Sequence, residues 1–327
     1  MASRRFFLSG CAAAMLSRSM PACAATNAPY PDRPIQILVP FAGGSASDVI
    51  TRILLNRMAT SLGQTFVVEN RPGAGGNTGT AAAAHAAADG YTLVMSTSGP
   101  LAANKALFKD LGYDPQKDFA PIFLFANIPN IVVINAKLPP KTLLDLIDYA
   151  KQHPQQLNYG SVGVGSSQHL AGAYFEQLTG TQLVHVPYRN IANYTPDFIS
   201  GQVPLGFQLL PNVLGLIKNG DARALAVASN KRMTALPDVP TAAEAGLQGY
   251  ESSAWLALLA PANTDQALVD RLYAAAQDAV NDPKVRALFA EQGAEPMNLG
   301  PEEFRKFMAS EISKWSEIIG KMGIAPM

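Results

Sequence analysis

Over residues 34–98 the apolar residues form short continuous runs that alternate with stretches at helical spacing. Pro34 to Val39 predicts a buried strand, and Val49 to Leu62, with Ile50, Ile53, Leu54 and Met58 on one face, predicts a helix. Thr65 to Glu69 predicts a second strand. The alanine-rich segment Thr78 to Ala88 predicts a second helix ended by Asp89-Gly90, and Tyr91 to Met95 a third strand running into Ser96-Thr97-Ser98-Gly99. Strand and helix in alternation imply a parallel sheet covered on both faces, with ligands at the carboxyl ends of the strands.

From Phe119 to Asn135 a long apolar run, interrupted by Pro129, breaks that rhythm, as expected where the chain leaves one lobe for another. Beyond it the pattern predicts a helix over Thr142 to His153, a strand over Leu157 to Tyr159, and a helix beginning near Gln168. Leu183 to Pro187, Gly206 to Gln208 and Ala222 to Ala228 predict further strands. Ser253 to Ala260 predicts a strand returning to the first lobe, with helices over Asp265 to Asn281, Lys284 to Gln292 and Pro301 to Ile319 packed outside it. The expected division is residues 27–126 plus 250–327 for one lobe and 127–249 for the other, each a mixed sheet flanked by helices, with two chain crossings acting as a hinge.

Residues 1–24 read differently. Arg4 and Arg5 precede the short apolar run Phe6 to Leu16, and Ala22-Cys23-Ala24 has the form of a small-x-small cleavage site, so this segment predicts a signal peptide. Ser3-Arg4-Arg5-Phe6-Phe7-Leu8 fits the twin-arginine export pattern. Leu8-Ser9-Gly10-Cys11 has the outline of a lipoprotein box but leaves almost no apolar run before the cysteine. Both cysteines, Cys11 and Cys23, fall in this leader, which rules out a disulfide or cysteine nucleophile in the processed chain. Loss of Arg4, Arg5 and Arg18 leaves 22 basic against 25 acidic residues, a slightly acidic protein unsuited to nucleic acid. No later stretch approaches the roughly 20 apolar residues that span a bilayer.

Two strand-to-helix turns carry the candidate chemistry. The first, Pro40 to Asp48, and the second, Gly160 to Ser167, are both rich in Gly and Ser, and each leads into a helix N-terminus. Unpaired first-turn N–H groups and the positive end of the helix dipole make such a turn an anion site. Arg71 to Gly76 also opens a helix, but the dinucleotide pattern read from Gly73 ends on Thr78 instead of Gly. No G-x-S-x-G elbow, paired histidines at metal-ligand spacing or Cys/His cluster is present. The expectation is therefore no cofactor, no metal and no catalytic residue. Of the four histidines, His85 and His153 read as structural and His185 as a core residue, while His169 sits where it either contacts a ligand or braces the second turn.

The segments PFAGGSASD, ENRPGAGG with DGYTL, YGSVGVGSSQHL, HVPYR with SGQV, ALAVASNKRMTALPDVPTAAEAG and LLAPANT, in this order, closely resemble the Bug-type extracytoplasmic solute receptors of tripartite tricarboxylate transporters. The resemblance implies a two-lobed periplasmic binding protein fold, type II-like, that closes on a small carboxylate and delivers it to membrane permease subunits. It implies ligand contacts from Phe41, Ala42, Gly44 and Ser47 in the first lobe, from Ser161, Gly163, Gly165, Ser166 and Ser167 in the second, and from Tyr188 over the cleft; Ser98, after the third strand, and His169, beside the second turn, join them as candidates from their own positions. Asp48 is expected to order the first loop, since a carboxylate would repel the ligand's own.

Departures from the family pattern refine this. Ser45 stands where a second glycine is common and adds a hydroxyl, and Asn190, Asn193 and Gln208 stand where Gly, Pro and Asp are usual. A glutamine cannot pair as a charge with an ammonium group, so the expected ligand is a di- or tricarboxylate or an aromatic acid, with Asn190, Asn193 and Gln208 reading its far end. The protein is expected to be a monomer. Two other readings stand beside the receptor: an exported α/β enzyme using Ser166 or Ser167 with His169 on a carboxylate ester, and a ligand sensor feeding a membrane kinase.

Overall fold

The computed structural model describes residues 30–321 and 326–327, so the leader lies outside the described residues. The first lobe begins with β1 (Ile35–Val39), α1 (Ala46–Leu62), β2 (Phe66–Asn70), α2 (Asn77–Ala84) and β3 (Thr92–Thr97). β1 lies parallel to both β2 and β3. A π-helical turn, Gly99–Ala103, then leads into α3 (Asn104–Leu107). α1 starts three residues earlier than the apolar spacing predicts because Ser45, in extended conformation, caps it. α2 ends at Ala84 instead of Ala88, and His85 closes it with its Nε2 3.1 Å from the Gly112 carbonyl oxygen.

β4 (Phe119–Asn135) is one continuous strand of 17 residues, about 55 Å long at strand rise. Its first part pairs antiparallel with β9 (Ser253–Pro261) and β10 (Glu295–Leu299). Its second part pairs antiparallel with β7 (Leu205–Leu209) and β8 (Ala222–Val227). Pro129 does not stop it: Pro129 lies opposite Ser253, and the next residue restores the ladder through Asn130 N–H to the Ser252 carbonyl. Helices cover both faces, so β4 is apolar on both, which is why its apolar residues do not alternate with polar ones.

The second lobe contains α4 (Leu143–Gln152), β5 (Asn158–Ser161), α5 (Ser167–Thr179), β6 (Val184–Pro187), α6 (Tyr194–Ser200) and α7 (Leu210–Lys218) around β7 and β8. β5 is parallel to β6 and to β7. After β9, α8 (Gln266–Asn281), α9 (Pro283–Glu291) and α10 (Pro301–Lys321) complete the chain. The strand path is β2-β1-β3-β9-β4-β7-β5-β6, with β8 and β10 attached to β4. In the first lobe α1, α8 and α9 pack Ile50, Leu54, Leu272 and Phe289 on one sheet face, and α10 packs Phe304, Met308 and Trp315 on the other. In the second, α4 and α5 cover one face with Leu146 and Phe175, and α6 and α7 cover the other with Phe198 and Val213. The cores touch across the cleft, since Leu209 of β7 belongs to the first-lobe cluster. No described helix is long and apolar enough to cross a membrane.

Candidate functional site

The turns after β1 and β5 face each other where the lobes meet. In the first, the Ser45 hydroxyl accepts from Asp48 N–H at 3.4 Å. Asp48 is buried and commits both carboxylate oxygens to the loop. One accepts from Gly44 N–H and from Arg52 Nε, each at 2.9 Å; the other accepts from Asn70 Nδ2 at 2.9 Å, and the same amide donates to the Phe41 carbonyl. Burial alone would raise the Asp48 pKa, but the bonds from Arg52, Asn70 and the Gly44 amide outweigh it and hold the carboxyl below the ordinary range. Asp48 thus ties the loop to the end of β2.

The second turn has the same plan. Ser166 caps α5, accepting from His169 N–H and donating to the Gly163 carbonyl at 2.7 Å. The Ser161 hydroxyl accepts from Gly163 N–H at 3.0 Å and lies 2.6 Å from His185 Nε2. His169 Nδ1 accepts from Gly165 N–H at 3.3 Å, which leaves its proton on Nε2, and its ring lies 4.4 Å from that of His185. Burial pushes the His169 pKa down to about 4 and that of His185 to about 3, the neighbouring His169 lowering the latter further. Both rings are neutral braces of the loop at ordinary pH. Neither has the basicity of a general base, and neither the Ser166 nor the Ser167 hydroxyl bonds an imidazole.

Between the turns lies a cavity of about 10 Å³, room for about one water. It is lined by Phe41, Ser45, Ala46, Ser47, Thr97, Val162, Ser167, Gln168, Leu209, Asn212 and Ala254, with no charged side chain among them. The N–H groups of Ser47 in α1 and of Ser167 and Gln168 in α5 have no hydrogen-bond partner among the described residues. Two helix N-termini therefore direct unpaired donors and hydroxyls into one neutral space. The lobes meet closely here: Ala46 N–H donates to Asn212 Oδ1 at 3.0 Å, and Gly99 leaves so little room that a Cβ on it would stand 2.2 Å from the Gly165 carbonyl oxygen. An outer cavity of about 550 Å³ lies at the cleft edge, lined in part by Gly73, Ala74, Gly163, Tyr188 and Arg189.

Of the residues singled out in the sequence, Phe41, Ser45, Ser47 and Ser167 line the inner cavity, while Ala42, Gly44, Asp48, Ser161, Gly163, Gly165, Ser166 and His169 shape the two turns. Tyr188 stands at the outer cavity with its hydroxyl donating to Asp197 at 2.6 Å. Four lie elsewhere. Ser98 is buried and donates to the Ser253 carbonyl, and the adjacent Thr97 takes its expected place. Asn190 caps the short turn Ile191–Asn193 and Asn193 is exposed. Gln208 is fully buried, donating to the Gly160 carbonyl at 2.8 Å, so it touches the site only through Asn212. The Ser45 hydroxyl, expected as an extra ligand contact, already serves as a helix cap.

Sequence reading missed Ala46, Thr97, Gln168 and Asn212. The signal for Asn212 was a lone polar residue four positions after Gln208 within the apolar segment Leu209 to Leu216, where a helix beginning directly after β7 brings the two side chains together. Among the described residues no group of His, Cys, Asp or Glu is placed to hold a metal.

A family model described as the tripartite tricarboxylate transporter family receptor matches residues 50–324. The protein BugT of Bordetella pertussis is 38% identical over 295 residues, covering 90% of this chain and 90% of its own. The Rhodopseudomonas palustris protein Rpa4515, solved with adipate, has a TM-score of 0.88 at 35% identity, covering 91% of this chain and 100% of its own. MatC of the same organism, solved with bound malate, has a TM-score of 0.84 at 33% identity, covering 89% and 100%. The paired serine-capped helix N-termini, the two-lobed fold and these matches lead to one assignment: the chain belongs to the receptor family of the tripartite tricarboxylate transporters, the Bug-type solute-binding proteins.

Proposed function

We propose that the protein is an exported periplasmic receptor that captures a small carboxylate between the N-termini of α1 and α5 and hands it to membrane permease subunits of a tripartite tricarboxylate transporter. It acts as a monomer and leaves the ligand chemically unchanged. The observation that carries this is the neutral cavity, where the unpaired N–H groups of Ser47, Ser167 and Gln168 converge with hydroxyls and no charged side chain. Such a site stabilises an anion through backbone dipoles and helix ends. The relatives solved with adipate and malate support a dicarboxylate in this chain too. At about 10 Å³ the space holds one water and not an acid, so the lobes part to admit the ligand, and ligand-driven closure follows if the carboxylate bonds donors from both lobes, since only differential affinity shifts an equilibrium between conformations. The hinge lies where the chain crosses at residues 127–129 and 250–253, dividing residues 27–126 plus 250–327 from 127–249, and the leader at residues 1–24 supplies export by the twin-arginine route. The enzyme reading loses ground to the same geometry, because the one close Ser–His side-chain pair among the described residues, Ser161 with His185, joins a fully buried serine to an imidazole that burial makes too weak a base.

A thermal-shift and calorimetric screen of mono-, di- and tricarboxylates and amino acids tests the reading. At least one simple carboxylate is expected to bind at micromolar concentration or below without turnover. Binding of an amino acid alone, or hydrolysis of an ester, would refute it.

A further inference from the structure

We propose that Asn212 selects the ligand, favouring carboxylates that carry a hydroxyl on the carbon next to the carboxylate, and that Gln208 is the residue that positions it. This inference rests on the receptor reading above and goes on to name the class of ligand.

Asn212 lies in the first turn of α7, and its carboxamide lines the cavity between the two anion turns. Its polarity is fixed from both ends. The Gly160 carbonyl can only accept, so the Gln208 atom 2.8 Å away is Nε2. That leaves Gln208 Oε1 to accept from Asn212 Nδ2 at 3.3 Å, and Asn212 Oδ1 to face the α1 N-terminus. From the other side, the Ala46 N–H can only donate, which demands the same orientation. The relay starts on a β5 carbonyl in one lobe and ends on a helix amide in the other.

Three consequences follow for a bound acid. Ala46 N–H, the first amide of α1, is held by Asn212, so the carboxylate takes the open amides of Ser47, Ser167 and Gln168. The group beside the carboxylate meets Asn212 Oδ1, a carbonyl oxygen with a second lone pair, which repels an oxygen that cannot donate and accepts from one that can. An ammonium would also donate, but no carboxylate faces the cavity and Asp48 has spent both oxygens on Gly44, Arg52 and Asn70, so its desolvation would go uncompensated. A neutral donor, the hydroxyl, fits best.

The test is calorimetry on the processed chain with matched pairs of 2-hydroxy and deoxy acids (lactate and propionate, malate and succinate, 2-hydroxyadipate and adipate), each hydroxy acid as both enantiomers, together with the 2-amino counterparts. In the pair that binds, one hydroxy enantiomer is expected to bind about tenfold more tightly than the deoxy acid, the worth of one hydrogen bond, with the amino acid weakest. Asn212→Ala is expected to bring the hydroxy-to-deoxy ratio to about 1, with the affinities of both acids moving together because the bond to the Ala46 amide is lost for either ligand. Asn212→Asp keeps an acceptor for that amide but places a charge in the cavity, and is expected to favour the 2-amino over the 2-hydroxy acid. Equal affinity for both members of the pair in the wild type, or a ratio that survives Asn212→Ala in a folded variant, overturns the assignment to Asn212 and leaves the receptor reading intact. Absence of binding by every acid tested overturns both.

Discussion

Gly99→Ala separates closure from folding. Gly99 opens the π-helical turn after β3, and the atoms nearest to a Cβ built there all belong to the second lobe: Gly165 O at 2.2 Å, Gly165 C at 3.3 Å and Ser166 Cα at 3.7 Å. The Gly99 backbone is not in the left-handed region, so alanine is tolerated locally and removes unfolded-chain entropy, a gain of about 0.4–1 kcal/mol in folding stability. With the lobes together, the methyl must push the Gly165 carbonyl back by about 1 Å to reach ordinary contact. Overpacking of that kind costs about 1–3 kcal/mol, which weakens ligand binding by about 5- to 150-fold. Calorimetry with the cognate acid reads the affinity, small-angle scattering reads the ligand-induced compaction, and urea unfolding without ligand reads stability. Affinity and compaction should fall while stability holds or rises. Gly215→Ala, whose added methyl meets nothing within 4 Å, serves as a control expected to bind normally. Wild-type affinity and compaction in Gly99→Ala would show that binding does not need this contact, and the clamp as described would be wrong.

Two further outcomes are expected. Asp48→Asn places an amide hydrogen against donors that now reach a carboxylate, Gly44 N–H or Asn70 Nδ2, and should cost about 1–3 kcal/mol in urea unfolding; a loss below about 0.5 kcal/mol would mean that the carboxylate does not order the loop. Acid should destabilise the second lobe through its histidines. Because the folded protein holds His169 and His185 at about 4 and about 3 while the unfolded chain protonates them near 6.5, the unfolded state binds more protons across that window. Stability is therefore full above about pH 6.5 and declines as pH falls, by about 2 kcal/mol from His169 alone at pH 5. His169→Gln should flatten that slope, and an unchanged slope would contradict the assignment.

The elements that sequence made legible are those whose pattern is local. The strand–turn–helix units at Ile35–Leu62 and Asn158–Thr179 follow from apolar runs, glycine and a capping serine, and the Gly/Ser turns are the two segments that meet at the candidate site. What was not legible depended on packing between distant segments. β4 reads as a break at Pro129, yet pairing with β9 and β7 carries it straight through. β10, with its alternating half-buried residues, is short, and its one strand partner among the described residues is β4. Gln208 and Asn212 look alike as polar residues beside apolar ones, and only the direction of β7 and the start of α7 decide that one is sealed in the core and the other reaches the cavity. Ser45 illustrates the same limit, because a hydroxyl in an anion turn and a helix cap have the same sequence signature.

The central claim, that unpaired helix amides and not charged side chains hold the ligand, is tested most directly by amide NMR of the ¹⁵N-labelled processed protein titrated with the cognate acid. The amide proton resonances of Ser47, Ser167 and Gln168 are expected to move downfield together and to saturate with the calorimetric affinity, as N–H groups do on bonding a carboxylate. If those three stay in place while resonances elsewhere, such as those beside Arg189, follow the titration, the ligand is held by another site and the account is contradicted.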